Sequence, residues 1–183
     1  FIWNSKKKNI ETIKQFKPLD LKLIIGVDSQ KEILLKNTIN FAEGNFTNNA
    51  LLWGARGNGK SSLIKSVFHK ILISYKKLNL IQLNKNDIFD IEYIYSILGK
   101  YNHFRFIIFI DDLSFEKIDS DYKIIKSTLD GSIQTQPTNI LLYVSSNRRH
   151  LMPRDMIDNE RSSAIHTDES VEEKINDFTL KKC

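Results

Sequence analysis

The feature that most constrains this chain is a glycine-rich loop between a predicted strand and a predicted helix. Gly54, Gly59, Lys60 and Ser61 stand at the G-x-x-x-x-G-K-[ST] spacing of a phosphate-binding loop. The apolar residues 50–53 predict a short buried strand before it, and the apolar spacing after it predicts a helix. The motif therefore has the strand–loop–helix context that phosphate binding needs. The alternative is an ordinary glycine-rich turn before a helix.

Each part of this loop has its own chemical task. Glycines permit backbone conformations in which successive N–H groups point at one anion, and the start of the helix adds the positive end of its dipole. The Lys60 ammonium can reach the β- and γ-phosphates, which also makes it a catalytic candidate, and the Ser61 hydroxyl can bind Mg²⁺. We therefore expect ATP and Mg²⁺ as ligands. The predicted nucleotide-binding residues are Gly54, Ala55, Arg56, Gly57, Asn58, Gly59, Lys60, Ser61 and Ser62.

A second polar group follows the predicted strand 105–110, whose apolar run ends in Asp111 and Asp112. A phosphate loop needs such a group because Mg²⁺ and an attacking water must also be held. We expect Asp111 to hold Mg²⁺, directly or through water, and Asp112 to orient or deprotonate the water. Asp112 stands where many ATPases carry Glu, so Glu116 remains open as the catalytic base. Both aspartates could instead serve only as turn formers at the end of a strand.

Asn147 follows the predicted strand 139–144 and fits a polar sensor that contacts the γ-phosphate and positions the same water. A plain turn at the end of this strand is the alternative. Further along the chain, several arginines could meet a phosphate in the same or a neighbouring subunit, although each one alone reads as a surface side chain. These are Arg148, Arg149, Arg154 and Arg161.

Between these motifs the pattern alternates strands with helices. A second short strand is predicted over residues 78–83, and Ser29-x-x-Glu32 has the spacing of a capping box that starts a helix. The alternation predicts an α/β fold of three layers, a parallel sheet between helices, with its site at the carboxyl ends of the strands. Helices are predicted from Ser29 to Gly44, from the phosphate loop to about Tyr75, over 88–98 with Gly99 as the stop, over 122–129, and over 171–178.

Composition fits one soluble domain, because 41% of the 183 residues are hydrophobic and 27% are charged. The net charge of +5 is spread along the chain, and Lys6-Lys7-Lys8 reads as a solvated segment rather than a nucleic-acid patch. The single cysteine, Cys183, excludes a disulfide within the chain, and the histidines lack the spacing of a zinc site. No apolar run or signal pattern indicates a membrane, so we predict a cytoplasmic protein. Because the first residue is Phe1, we expect a fragment of a longer product.

In this order, the motifs resemble those of the AAA+ ATPases and, more closely still, those of a bacterial AAA+ family of unknown function. The strand between the phosphate loop and Asp111, together with Asn147, distinguishes the pattern from P-loop kinases and small GTPases. The resemblance implies ATP binding, hydrolysis, and a ring-like homo-oligomer that remodels an unidentified protein or nucleic acid. The matching stretches are Ile25-Gly26-Val27-Asp28, residues 30–32, residues 51–62, residues 111–116, residues 146–151, Ile165-His166 and residues 169–174.

The sequence departs from this family near its end. The resemblance leads us to expect an arginine finger, a fifth strand and a helical lid, and none is recognisable before Cys183. We therefore predict a lead-in segment at residues 1–23 and a truncated AAA+ core at residues 24–183, which lacks the last strand and the lid. Strand 50–53 should then be an unprotected edge. Two alternatives to a remodelling ATPase stay open: an ATP-binding switch or truncated remnant with little turnover, and a loader that acts on DNA.

Overall fold

A single mixed sheet organises the computed structural model, which describes residues 1–113, 136–147 and, by backbone alone, 179–182. Across the sheet the strand order is β2-β1-β4-β5-β6-β3-β7. The strands β1, β4, β5, β6 and β3 run parallel, whereas the outer strands β2 and β7 are antiparallel to their neighbours. The strands are Ile2–Asn4 (β1), Asn9–Glu11 (β2), Ala50–Trp53 (β3), Leu78–Leu83 (β4), Arg105–Ile110 (β5), Ile140–Ser146 (β6) and Thr179–Lys182 (β7).

Three helices of the described residues flank this sheet: Asp28–Ala42 (α1), Lys60–Leu72 (α2) and Ile91–Leu98 (α3). Short 3₁₀ helices span Leu21–Leu23 and Lys85–Asp90. Gly99 caps α3 as predicted, with its N–H bonded to the Tyr95 carbonyl. Within the described part of the chain, no helix has the length and apolarity needed to cross a membrane.

Three of the predicted helix boundaries are wrong. α3 begins at Ile91 rather than at residue 88, because Lys85–Asp90 forms a 3₁₀ helix. The first helix begins at Asp28 with the buried Val27 as its cap residue, so Ser29 lies inside the helix and forms no capping box. Packing of Val27 in the core fixes this start in place of a side-chain cap. α2 ends at Leu72 rather than near Tyr75, because the chain turns there and the Ser74 N–H bonds to the Ile71 carbonyl, only three residues back. The helices predicted over 122–129 and 171–178 lie outside the described residues.

Apolar side chains of the central strands alternate between two faces of the sheet. In β5, Ile108 and Ile110 pack in one hydrophobic cluster with residues of α3, whereas Ile107 and Phe109 pack in the other with residues of α1 and α2. A period of two residues is expected for a strand, and burial on both sides is expected for a sheet between helices. The predicted three-layer α/β class is therefore confirmed.

Residues 1–23 contribute to the same sheet. β1 and β2 form a hairpin, and Ile2 of β1 pairs with Gln82 of β4. Lys6, Lys7 and Lys8 form the exposed turn of this hairpin, which agrees with their interpretation as a solvated segment. The division into a lead-in and a core stays a prediction.

The expectation of an unprotected edge at β3 is wrong. β7 pairs antiparallel with β3 along its whole length, from Ala50 opposite Lys182 to Trp53 opposite Thr179. No strand is predicted over residues 179–182, because four residues carry too little hydrophobic periodicity to indicate one. The N–H and C=O groups of β3 are thus bonded on both sides, by β6 and by β7.

Candidate nucleotide site

Three adjacent parallel strands bring the predicted site residues to one edge of the sheet. β5, β6 and β3 are neighbours, and each is followed at its carboxyl end by a polar segment. These segments surround a cavity of about 320 Å³, as expected at the carboxyl edge of a parallel sheet. The cavity is lined by Arg56, Gly57, Gly59, Lys60, Ser61, Ser62, Asp111, Asp112, Ser145 and Asn147.

The phosphate loop takes a shape that requires glycine at two positions. Gly57 and Gly59 have φ values of 89° and 78°, in the left-handed region that side chains with a Cβ rarely adopt. Gly59 is the cap residue of α2, and the first residues of this helix line the cavity. The positive end of the helix dipole therefore faces the cavity, where it favours an anion.

Lys60 is the buried cation of the site, with only 6% of its surface exposed. Its Nζ donates hydrogen bonds to the carbonyl oxygens of Gly54 (2.9 Å) and Ala55 (2.7 Å) and to Oδ1 of Asn147 (3.1 Å). Burial lowers the pKa of the Lys60 ammonium, and the nearby carboxylates of Asp111 and Asp112 act in the opposite direction. The Lys60 ammonium, which is predicted to bind phosphate, is thus held at the cavity wall by three oxygen atoms of the protein.

Ser61 and Asp111 provide two oxygen ligands at one point of the cavity. The Ser61 hydroxyl donates a hydrogen bond to Oδ1 of Asp111. Hydroxyl and carboxylate oxygens suit Mg²⁺, which in phosphate sites is held by one or two protein ligands together with water and phosphate oxygens. The residues therefore fit a magnesium ion, although no group of three His, Cys, Asp or Glu that could hold a metal occurs in the described residues.

Asp112 and Asn147 meet at the open side of the cavity, where both are exposed. The Asn147 amide donates a hydrogen bond to Oδ1 of Asp112. Asp112 has a φ of 52°, a left-handed conformation that few residues other than glycine adopt. A carboxylate held beside an amide in this way can accept a proton from a water molecule and orient it.

The sequence interpretation missed Ser145. This side chain is 1% exposed, and its hydroxyl donates to Oδ1 of Asp111 at 2.6 Å. The Ser145 hydroxyl oxygen also accepts a hydrogen bond from the backbone N–H of Asp112 at 2.9 Å. The sequence offers one signal for Ser145, its position two residues before Asn147 at the end of a strand. Its contact with Asp111 can be seen only when the register between β5 and β6 is known.

The remaining predicted residues have different positions. Gly54 and Ala55 do not line the cavity, and they contribute carbonyl oxygens to Lys60. Arg56 lines the cavity with an exposed side chain, whereas Asn58 is half-buried in the loop and does not line the cavity. Glu116 lies outside the described residues, as do the four arginines 148, 149, 154 and 161.

Comparison with protein families gives one match. Residues 1–177 match the model of a family described as "Protein of unknown function (DUF815)". No protein with a curated description matches the sequence.

Comparison with solved structures gives similar folds at low sequence identity. A variant of RuvB from Thermotoga maritima has a TM-score of 0.51 and 21% identity, with 79% of this chain and 46% of that chain covered. PCH-2 of C. elegans has a TM-score of 0.47 and 14% identity, with 72% and 38% covered. ORC1 of Aeropyrum pernix, solved in complex with DNA, has a TM-score of 0.47 and 14% identity, with 71% and 43% covered. The chain spans less than half the length of these proteins.

Proposed function

Because the chain belongs to the DUF815 family and has the fold of AAA+ P-loop ATPases, we propose that it binds ATP with Mg²⁺ and hydrolyses it. The observation that carries the proposal is the meeting of four groups at one cavity. These are the Lys60 ammonium, the hydroxyl–carboxylate pair of Ser61 and Asp111, the Asp112 carboxylate and the Asn147 amide. A turn or a structural polar cluster does not need a buried cation, a metal-ligand pair and a base candidate together.

In this proposal each residue acts on a different part of the reaction. Lys60 would bind oxygens of the β- and γ-phosphates, and Ser61 and Asp111 would hold Mg²⁺, which would neutralise negative charge on the phosphates. A water molecule attacks the γ-phosphorus while the bond to the β–γ bridging oxygen breaks, which releases ADP and phosphate. Asp112 accepts the proton of the water, and Asn147 positions that water against the phosphate.

The wider proposal concerns what the hydrolysis drives. We propose a homo-oligomer in the cytoplasm that uses ATP to remodel or load a protein or nucleic-acid partner. The support for this wider proposal is the analogy of fold with the RuvB variant, at a TM-score of 0.51. The nature of the partner is part of the proposal.

A second candidate function is an ATP-binding switch without significant turnover. The observation that favours it is Asp112, which is shorter than the Glu of many ATPases and whose carboxylate is already bonded to Asn147. Such a protein would bind Mg·ATP through Lys60, Ser61 and Asp111 and would respond to the bound nucleotide. Single-turnover hydrolysis of bound ATP separates the two candidates.

The primary test is calorimetric titration of the protein with ATP in the presence of Mg²⁺. Lys60→Ala removes the charge-assisted hydrogen bonds to phosphate, each worth about 1.5–3 kcal/mol, so we expect affinity to fall by roughly 10- to 100-fold or more. Lys70→Ala, which removes an exposed cation from the last turn of the same helix, is the matched control and should leave affinity unchanged. Equal affinities of parent and Lys60→Ala would exclude this loop as the phosphate site.

A further inference from the structure

We propose that Ser145 is a positioning residue that fixes the metal-holding carboxylate of Asp111 and the water-orienting Asp112 relative to each other. This inference rests on the proposed function, because it assigns Ser145 a task in that same site. A single hydroxyl contacts both residues: it donates to the Asp111 carboxylate at 2.6 Å and accepts from the Asp112 N–H at 2.9 Å.

The register of the sheet sets up this double contact. Ile110, the last residue of β5, pairs with Val144 of β6, so Asp111 and Ser145 occupy the next positions on the two strands. After Asp111 the chain turns back toward β6, and the Leu113 N–H bonds to the Ser145 carbonyl at 2.8 Å. Ser145 therefore contacts three successive residues of this turn with its backbone and side chain.

The contact to Asp112 has a conformational consequence. Asp112 has a φ of 52°, which costs free energy for a residue with a Cβ and persists only where neighbours fix it. The Ser145 hydroxyl satisfies the N–H of Asp112 in this conformation, and the Asn147 amide holds its carboxylate. Loss of the hydroxyl would leave this N–H without its protein acceptor and would free the backbone that aims the carboxylate.

The contact to Asp111 acts on the metal. Oδ1 of Asp111 accepts hydrogen bonds from both Ser61 and Ser145. When the Ser61 oxygen serves as a magnesium ligand, the hydrogen bond from Ser145 still orients the carboxylate. Hydrogen-bond partners of metal ligands typically contribute 10- to 100-fold to metal affinity or activity.

Ser146 is the matched control that separates this role from a purely structural one. It is fully buried beside Ser145 on the same strand, and its hydroxyl donates to the Leu113 carbonyl at 2.7 Å. It thus stabilises the same turn, but this bond reaches neither of the two carboxylates. Substitution of either serine by alanine should weaken the turn in general. Only the substitution of Ser145 should reduce the contribution of magnesium to ATP binding.

The experiment compares the dissociation constant of ATP in Mg²⁺ with that in EDTA for the parent, Ser145→Ala, Ser145→Thr and Ser146→Ala. The ratio of the constant in EDTA to the constant in Mg²⁺ measures the contribution of magnesium to binding, and this measurement needs no turnover. We expect Ser145→Ala to reduce this ratio by about 10-fold, Ser145→Thr to retain most of it because the hydroxyl is kept, and Ser146→Ala to leave it unchanged. Thermal unfolding without ligand checks that each variant is folded.

Two results would overturn the inference while the proposed function stands: an unchanged ratio in Ser145→Ala, or an equal loss in Ser146→Ala. If Ser145→Ala is unfolded, Ser145→Thr and Ser145→Cys decide, because a hydroxyl should preserve the ratio and a thiol, a weak hydrogen-bond donor, should reduce it. A parent protein that binds ATP equally well with and without Mg²⁺, or not at all, would refute the proposed function and the inference together.

Discussion

Buried polar side chains lie at both ends of β6, but they bond to different kinds of partners. At the amino end, the Asn139 amide donates to the carbonyl oxygens of Leu98, Tyr101 and Phe104 at 3.0, 3.2 and 3.4 Å. At the carboxyl end, Ser145 and Asn147 contact ionisable groups beside a cavity. A neutral amide that bonds to the backbone holds loops together, whereas charged groups that bond to neutral side chains at a cavity can exchange these partners for a ligand. Burial of polar groups therefore does not by itself mark a site.

The largest effect should come from the acidic pair at the carboxyl end. Asp112→Asn should slow single-turnover hydrolysis of bound ATP by at least about 100-fold, because proton acceptance acts in the transition state, while ATP affinity stays the same. Asp111→Asn should instead weaken the magnesium-dependent part of ATP binding, since a metal ligand acts in the ground state. Rapid-quench hydrolysis and calorimetry distinguish the two variants. If Glu116→Gln gives the bound-but-slow behaviour and Asp112→Asn is silent, then Glu116 is the base.

A smaller effect of another kind is expected at the amino end. Asn139→Ala removes a buried donor from three carbonyl groups and should lower the free energy of unfolding by about 2–3 kcal/mol. ATP affinity should be unchanged, because Asn139 lies at the opposite edge of the sheet. Denaturant unfolding of Asn139→Ala, with the exposed Asn102→Ala as control, measures the stability. A loss of ATP affinity in the folded Asn139→Ala variant would contradict the separation of the two ends.

The smallest expected effect is the pH dependence of ATP binding. Burial lowers the pKa of Lys60 in the free protein, and phosphate binds its protonated form, so above this pKa binding must take up a proton. The dissociation constant of ATP in Mg²⁺ should therefore increase as the pH is raised above this lowered pKa, by at most about tenfold per pH unit. The increase should begin at a lower pH than it would for a lysine with an ordinary pKa. Calorimetry between neutral and mildly alkaline pH tests this, with Lys60→Ala as the pH-independent reference. A flat profile in the parent would show that Lys60 keeps its charge without help from the phosphates.

Much of the central fold could be predicted from the sequence. Strands β3, β4 and β5 have the predicted bounds because each is an apolar run that ends at a glycine or polar residue. β6 continues two residues beyond its predicted end, since Ser145 and Ser146 look like turn formers although partners on the neighbouring segment satisfy their hydroxyls. The hairpin of β1 and β2 was missed because strands of three residues have no measurable periodicity.

Only part of the candidate site could be predicted from the sequence. Motif spacing identifies Lys60, Ser61 and Asp111 because local chain geometry fixes a phosphate loop and a strand end. The contact of Ser145 with both aspartates depends on the register between β5 and β6, and the left-handed backbone of Asp112 depends on that contact. Neither property is encoded within one segment of the sequence, so neither follows from a local pattern.

The position of β3 in the sheet has a consequence for how the protein folds. Both of its neighbours, β6 and β7, come later in the chain, after β4 and β5 have been made. Pairing between distant segments is slow because the entropy of loop closure must be overcome before the contacts form. During synthesis from the amino end, the strand that carries the phosphate loop is made early and acquires its partners late. The ability to bind nucleotide should therefore appear only after β6 and β7 have paired with β3.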